Sequence, residues 1–462
     1  MPAPHASLWW ATLPREPAAR AALAGDLDVD VAIVGAGYTG LWTALALKRA
    51  DMSLRVAVLE ADVAGAGASG RNGGWASALY PISWARVREQ HGGAAHDLLI
   101  STLREAVVAL GADARSLGID CDYHRGGTVT VARTTAQVAR LRAELDEARL
   151  DGTGDDDLRW LEADEALARC GATGVLGALF TPHCAAIHPA KLATGLADSA
   201  ERLGIVIYER TRVSSILAGD RWRRPQAACE AGIVRAEVVV RATEGFTPGF
   251  KGARRAVVPL YSLMVATDPL PGSFFERIGL ADRETFNDGR HLLVYGQRTR
   301  DDRLAFGGRG APYHFGSRVA ASHDADARVF ATLEAELEAW FGPLPAPVAH
   351  RWGGPLAMAR DGSPFVVLDR GTGLAAAGGY VGDGVVMSRV AAIALADVIL
   401  GRDSEYSSLP FVGHRSRDWE PEPLRWIGIN AGLAAAAAAD AREARTGRAS
   451  VAARLLAMLQ GS

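Results

Sequence analysis

The sequence is short of cysteine, of surplus charge and of unbroken apolar runs, and each shortage removes a class of protein. Its four cysteines, Cys121, Cys170, Cys184 and Cys229, form no C-x-x-C pair. A chain of 462 residues can build its core without staples, so no disulfide framework is expected and a reducing, cytoplasmic setting is the simplest reading. The formal net charge is only −3, which offers nucleic acid no electrostatic footing. The most apolar stretch, 385–400, is interrupted by Ser388, Arg389 and Asp397, so no membrane span is expected. The first residues lack a basic start and a long apolar segment, so no signal peptide is expected either.

Glycine, in contrast, is plentiful at 51 residues, and much of it clusters between apolar runs. The first cluster is Gly35-Ala36-Gly37-Tyr38-Thr39-Gly40. It follows an apolar strand pattern over 28–34 and opens a helix pattern over 40–50. A second strand pattern, 54–60, ends on Glu60, 20 residues after Gly40. This is the β-α-β arrangement that binds dinucleotides. The first glycine permits the tight turn, the second lets the backbone approach a diphosphate, and the third lets helix and strand pack closely. The helix N-terminus presents N–H donors and positive partial charge to the phosphates. Glu60, with Ala61 behind it, sits where an acid accepts hydrogen bonds from both ribose hydroxyls and repels a 2′-phosphate.

A second glycine-rich run follows directly: Gly67-Ala68-Ser69-Gly70-Arg71-Asn72-Gly73-Gly74. A nicotinamide domain would enter its next helix here. A loop of successive N–H groups with one hydroxyl and one guanidinium suits a second set of diphosphate contacts and the edge of a flavin. No second G-x-G-x-x-G unit follows, which ranks a monooxygenase with its own nicotinamide route low.

At these residues the chain resembles the D-amino-acid oxidase, glycine oxidase and sarcosine oxidase superfamily of FAD-dependent oxidoreductases, and is most similar to its gamma-glutamylputrescine oxidoreductase-like branch. The resemblance is carried by the two glycine runs, Leu59-Glu60-Ala61, the 239–245 segment and the 377–385 segment, in that order, and covers about residues 28–430. It implies an α/β fold with a discontinuous Rossmann-type FAD-binding domain (1–90, 175–250 and 350–404). An inserted α+β substrate domain with a mostly antiparallel sheet would occupy 91–174 and 251–349, and a helical tail 405–462. It places Val213 at the adenine, Ala242 and Thr243 near the diphosphate, and Gly379, Tyr380, Gly382, Asp383, Gly384 and Val385 in a loop under the flavin. A helix starting near Gly384 would aim its positive end at the flavin, where charge develops on reduction. Many relatives carry His where this chain has Asp383, which is expected to act as the helix N-cap. Neither glycine run nor the 377–385 loop offers His or Cys for a covalent flavin bond, so FAD is expected to be non-covalent.

The implied reaction oxidises the C–N bond of a small amine or amino acid by hydride transfer, followed by hydrolysis of the imine and reoxidation by O2. The alternative is a dehydrogenase that hands its electrons to a quinone or a protein; a flavoprotein subunit without turnover is the non-enzymatic reading. No catalytic triad is expected, and no residue is assigned as a catalytic base. Arg309, flanked by glycines, is a candidate for a substrate carboxylate, with a structural salt bridge as its alternative. Tyr261, Trp352 and Tyr380 are candidate pocket walls, with core packing as theirs. His183, Cys184 and His188 lack a second ligand pair, so no metal is expected. The alanine-rich 431–460 segment reads as surface helix.

Overall fold

Val31–Val34, Val56–Leu59, Val206–Tyr208, Val238–Arg241 and Leu374–Gly378 are short and apolar, as strands covered on both faces must be. In the computed structural model, which describes residues 7–449, they form a parallel sheet with Phe365–Asp369 as its antiparallel edge. The order is 365–369, 374–378, 238–241, 31–34, 56–59, 206–208.

Alternation of side chains along these strands decides what covers each face. Val31, Ile33, Val56 and Val58 point into one core with helices Tyr38–Ala50, Gly93–Ser116, Pro189–Arg202 and Gly384–Leu400. Ala32, Val34, Ala57 and Leu59 point into another, with Val213, Ala227 and Val234 from a separate four-stranded sheet. The sequence did not announce that small sheet, whose strands are only two to five residues long.

Helix Gly93–Ser116 departs from its expected place in the substrate domain. Its buried face, Leu99, Leu103, Val107 and Leu110, joins the helical core of the parallel sheet. An amphipathic stripe states that one face is covered, not by what.

The second large sheet has eight strands in the order 348–358, 258–267, 304–308, 294–298, 285–288, 128–132, 177–181, 159–162. All its pairings are antiparallel except 285–288 with 128–132. Strands 177–181 and 348–358, expected with the nucleotide domain, are hydrogen-bonded here instead. Leu263 and Val265 face helix Ala327–Phe341, whose Leu333, Leu337 and Trp340 complete one core. Met264 and Ala266, one residue out of phase, face Trp9, Trp10 and Ala190 and weld the two parts together.

The chain ends, among described residues, in helix Leu424–Thr446, which includes most of the expected tail helix; residues 450–460 lie outside the described residues. All four cysteines are free. No described helix is long and apolar enough to cross a membrane.

Candidate functional site

The two glycine turns meet at the mouths of adjacent parallel strands. Gly35, at φ 106°, makes the turn that a side chain would strain. Gly37 precedes helix Tyr38–Ala50, whose start has no side-chain cap of its own from that residue. Ser69 supplies one from the second turn: the Tyr38 N–H donates to Ser69 Oγ at 2.8 Å. The Gly65 N–H donates to the Ala36 carbonyl at 2.9 Å. A Cβ on Gly37 would stand 2.9 Å from Ser69 Oγ, so only glycine admits this approach without a shift.

Glu60 ends the second strand half-buried. Its Oε2 accepts the Ala36 N–H at 2.8 Å and its Oε1 the Asp62 N–H at 2.9 Å. Burial pushes its pKa up, and those N–H groups hold it down. Ala242 and Thr243 close the floor: a Cβ on Gly35 would come 2.5 Å from the Ala242 carbonyl oxygen. Val213 is buried at the start of its strand, and the Thr211 N–H donates to the Glu60 carbonyl at 2.7 Å.

The rest of the second turn is organised by its own side chains. Asn72 donates to the Ser69 carbonyl and accepts from the Gly74 N–H, both at 2.8 Å. Arg71 is buried and reaches away, to Asp324 at 2.9 Å and the Gly353 carbonyl at 3.0 Å. Trp352 is buried behind the turn, and its indole N–H donates to the Arg71 carbonyl at 2.8 Å.

The 377–385 loop packs beside the first turn. Tyr380 is buried, its hydroxyl 3.1 Å from that of Thr39. Asp383 precedes helix Gly384–Leu400 but makes no side-chain cap hydrogen bond, contrary to expectation. Its φ of −90° and ψ of 34° fall outside the extended conformation from which a side chain swings over the first turn. Burial raises its pKa to about 6, against the pull of Arg309.

Glu244 lies in the 239–245 segment, just past the end of strand Val238–Arg241. Its carboxylate accepts the N–H groups of Gly379 at 3.1 Å and Tyr380 at 3.2 Å, which ties the end of strand 238–241 to the loop. Withdrawal from water raises its pKa to about 7. An acid just past a strand end carries no sequence signal for a contact with a loop 135 residues further on.

A cavity of about 650 Å³ borders the loop at Val381. None of its lining comes from the glycine turns; Tyr261 and Arg309 line it, Trp352 and Tyr380 do not. Those two aromatics, expected as pocket walls, are buried, and each turns its polar atom to a partner inside the protein, Trp352 to the Arg71 carbonyl and Tyr380 to the Thr39 hydroxyl. Arg309 is exposed and donates to the Val381 carbonyl at 3.0 Å. Tyr261 packs edge-on against His314 and His323.

His183, Cys184 and His188 are engaged separately, with Asp157, Thr285 and Thr12. His291, Asp440 and Glu443 bring ligand-type atoms together elsewhere, but Arg140 holds both Glu443 oxygens.

Comparison with known proteins gives the arrangement its context. Residues 30–398 match the family described as FAD dependent oxidoreductase. The chain is 29% identical over 424 residues to the gamma-glutamylputrescine oxidoreductase of Escherichia coli, covering 89% of this chain and 94% of that one. It is 26% identical over 396 residues to the glycine oxidase of Geobacillus kaustophilus, covering 83% and 96%. A crystal structure of glycine oxidase from Geobacillus kaustophilus superposes with a TM-score of 0.69 at 22% identity, covering 85% of this chain and all of that one.

Proposed function

The chain belongs to the family of FAD-dependent oxidoreductases, and from that premise we propose that it oxidises the C–N bond of a small amine or amino acid. Relatives named for glycine and for gamma-glutamylputrescine bracket the substrate class. The observation that carries the reading is the position of the cavity. It meets the 377–385 loop at Val381 and contains Arg309, an exposed guanidinium that donates to the Val381 carbonyl and whose charge acts on the buried Asp383 carboxyl.

The residues present fit FAD. The close approach of Gly37 to Ser69 and the start of helix Tyr38–Ala50 make a cradle of N–H donors suited to a diphosphate. Glu60 stands at the end of the neighbouring strand as a ribose acceptor, Thr243 follows the end of strand Val238–Arg241, and the Thr211 N–H, two residues before Val213, donates to the Glu60 carbonyl. With no His or Cys in either glycine run or the 377–385 loop, attachment is non-covalent. Bound there, FAD supplies a two-electron acceptor for the carbon next to the substrate nitrogen.

The chain's own part is positioning. Arg309 holds a substrate carboxylate, Leu260, Leu356 and Met358 exclude water, and the first turn of helix Gly384–Leu400 favours negative charge at the loop. Arg71 acts from behind by fixing the second turn. An amine bound in its neutral form needs no catalytic base, and the imine released is hydrolysed in water. Oxygen is the acceptor in this reading.

The test begins with the spectrum of the purified protein. A flavin spectrum, yellow colour left in solution after acid precipitation, and anaerobic bleaching by an amine or amino-acid panel are the expected results. Steady peroxide release under air separates an oxidase from a dehydrogenase. Failure of every amine and amino acid to bleach the flavin would end the substrate assignment.

A further inference from the structure

Helix Leu424–Thr446 lies beyond residue 398, where the family match stops. Its inner side is fastened to the rest of the protein. Asn430 exchanges two hydrogen bonds with the Tyr313 backbone, both at 3.0 Å, and Asp440 accepts the N–H groups of His291 and Leu292, both at 2.9 Å. Arg140 pairs with Glu443 at 2.8 Å, and Gly428, Gly432 and Ala436 border the cavity described above. The other side is thereby held facing solvent.

A surface helix ordinarily turns charged and polar side chains to water. This one does not. Every exposed residue from Leu424 to Ala441 is uncharged, and the outer face runs from Leu424 and Ile427 through Ala431, Ala434, Ala438 and Ala441. Glu422 widens the face at its start, because it accepts the N–H groups of both Trp426 at 3.0 Å and Gly316 at 2.8 Å and so brings Phe315 beside the first turn. Phe315, Leu424, Trp426 and Ile427 are 42–63% exposed. Large apolar side chains gathered in one place make a patch, unlike the scattered single ones that any surface shows.

Cations stand at both ends of this face. Arg254 and Arg318 flank its start: the Arg254 carbonyl accepts from Arg425 Nη1 at 3.3 Å, and Arg318 follows Gly316 by two residues. Arg442, Arg445 and Arg448 close the other end. All five are exposed, and none has an acidic partner within ion-pair distance among the described residues. The acids near the start are already taken: Asp418 lies 4.0 Å from Arg255, Glu420 3.0 Å from Arg360, and Glu422 3.1 Å from Arg425. An uncharged face between two groups of free cations suits the headgroup layer of anionic lipid, where apolar side chains enter and guanidiniums reach the phosphates. It does not suit a second copy of the chain, because helices paired face to face in either direction would set these cations against each other.

We propose that the outer face of helix Leu424–Thr446 is a docking surface for an anionic lipid membrane. The helix lies flat on the bilayer, Phe315, Leu424, Trp426 and Ile427 enter the headgroup layer, and the arginines at the two ends meet lipid phosphates. The attachment is reversible and sensitive to salt. It sets the cavity next to the lipid surface, and it stands independently of the reaction proposed above.

Binding of the full-length, FAD-loaded protein to vesicles tests this. Vesicles of equimolar phosphatidylglycerol and phosphatidylcholine, and vesicles of phosphatidylcholine alone, are sedimented with the protein at low and at high salt. Trp426→Ser combined with Ile427→Ser removes apolar contacts, and Arg442→Gln combined with Arg445→Gln removes cationic ones. Ala434→Cys carrying an environment-sensitive nitrobenzoxadiazole label reports from the middle of the face. Three native cysteines are buried and the fourth half-buried, so the labelled parent protein sets the background. Retained flavin absorbance shows that each variant is folded.

The parent should bind the anionic vesicles at least about 10-fold more tightly than the neutral ones, and high salt should abolish the difference. Each double change should weaken binding to the anionic vesicles by about 10-fold. The label should shift its emission to the blue when those vesicles are added. Failure to bind them, equal affinity for both kinds, affinity unmoved by either double change, or an unmoved label would overturn the proposal. So would a dimer in light scattering that the Trp426→Ser and Ile427→Ser pair dissolves, since the face would then belong to a second copy. None of these readouts uses turnover, so a protein whose flavin no amine bleaches would fail the proposed reaction while the vesicles still judge the docking surface.

Discussion

Arg71 and Asp324, 253 residues apart, form an ion pair of 2.9 Å inside the protein, with both side chains less than a tenth exposed. The guanidinium belongs to the second glycine turn and the carboxylate to the part of the chain that carries the antiparallel sheet. This pair, with the Arg71 contact to the Gly353 carbonyl, is what holds the turn against the second sheet.

Breaking that pair from one side strands a buried charge. Arg71→Ala and Asp324→Ala should each lower stability by about 3–5 kcal/mol, while joint replacement by Met and Leu should recover most of the loss. Denaturant unfolding of the two single variants and the double variant checks this. Additive losses in the double variant would show that the two residues act independently.

A methyl group on Gly37 meets Ser69 Oγ at 2.9 Å. Gly37→Ala should therefore push the two turns apart and weaken FAD binding by about 10-fold, as about 1–3 kcal/mol of overpacking implies. Adding Ser69→Ala removes the oxygen and should restore part of the affinity, although the cap on the Tyr38 N–H is lost. Titration of apoprotein with FAD, followed by flavin fluorescence, decides between this and a loss that Ser69→Ala only deepens.

The pKa of Glu244 is raised from 4.5 to about 7. The folded state thus holds a proton that the unfolded chain gives up. The stabilisation is fully present below about pH 4.5 and is lost as pH rises through about 7. Thermal unfolding between these limits should show Glu244→Gln less sensitive to pH than the parent, by an amount on the order of 1–3 kcal/mol. Parallel pH profiles for parent and variant would contradict this.

Arg309→Ala should weaken binding of carboxylate-bearing substrates by about 10–100-fold, the range of about 1.5–3 kcal/mol for hydrogen bonds to a charged group. Uncharged amines of similar length should lose little. The comparison is made by the concentration that half-bleaches the flavin under anaerobic conditions. Equal losses for both kinds of substrate would make the residue a support for the Val381 turn instead.

Much of the cofactor side was legible in the sequence because it is local. Gly35, Gly37, Gly40 and Glu60 lie within 26 residues, and a strand-turn-helix-strand unit brings them together through its own backbone geometry. The adjacency of the second turn followed for the same reason, since only a few residues separate it from the end of the second strand. The substrate side was not legible in this way. Trp352 and Tyr380 are aromatics whose surroundings depend on which segment crosses above them. Trp352 faces Arg71, and Tyr380 faces Thr39.

The sequence by itself determined the α/β class, the dinucleotide turn with its acid, and the unit Val31–Val34, Tyr38–Ala50 and Val56–Leu59 to within a few residues of its observed limits. Each of these follows from a periodicity or a spacing over a few tens of residues. Only the tertiary structure decided which sheet received strands 177–181 and 348–358, which partner Arg71 took, that Asp383 leaves its helix uncapped, and that Gly428, Gly432 and Ala436 border a cavity. Those facts depend on segments hundreds of residues apart meeting in one register, and an apolar or basic pattern records that a residue wants a partner without naming it.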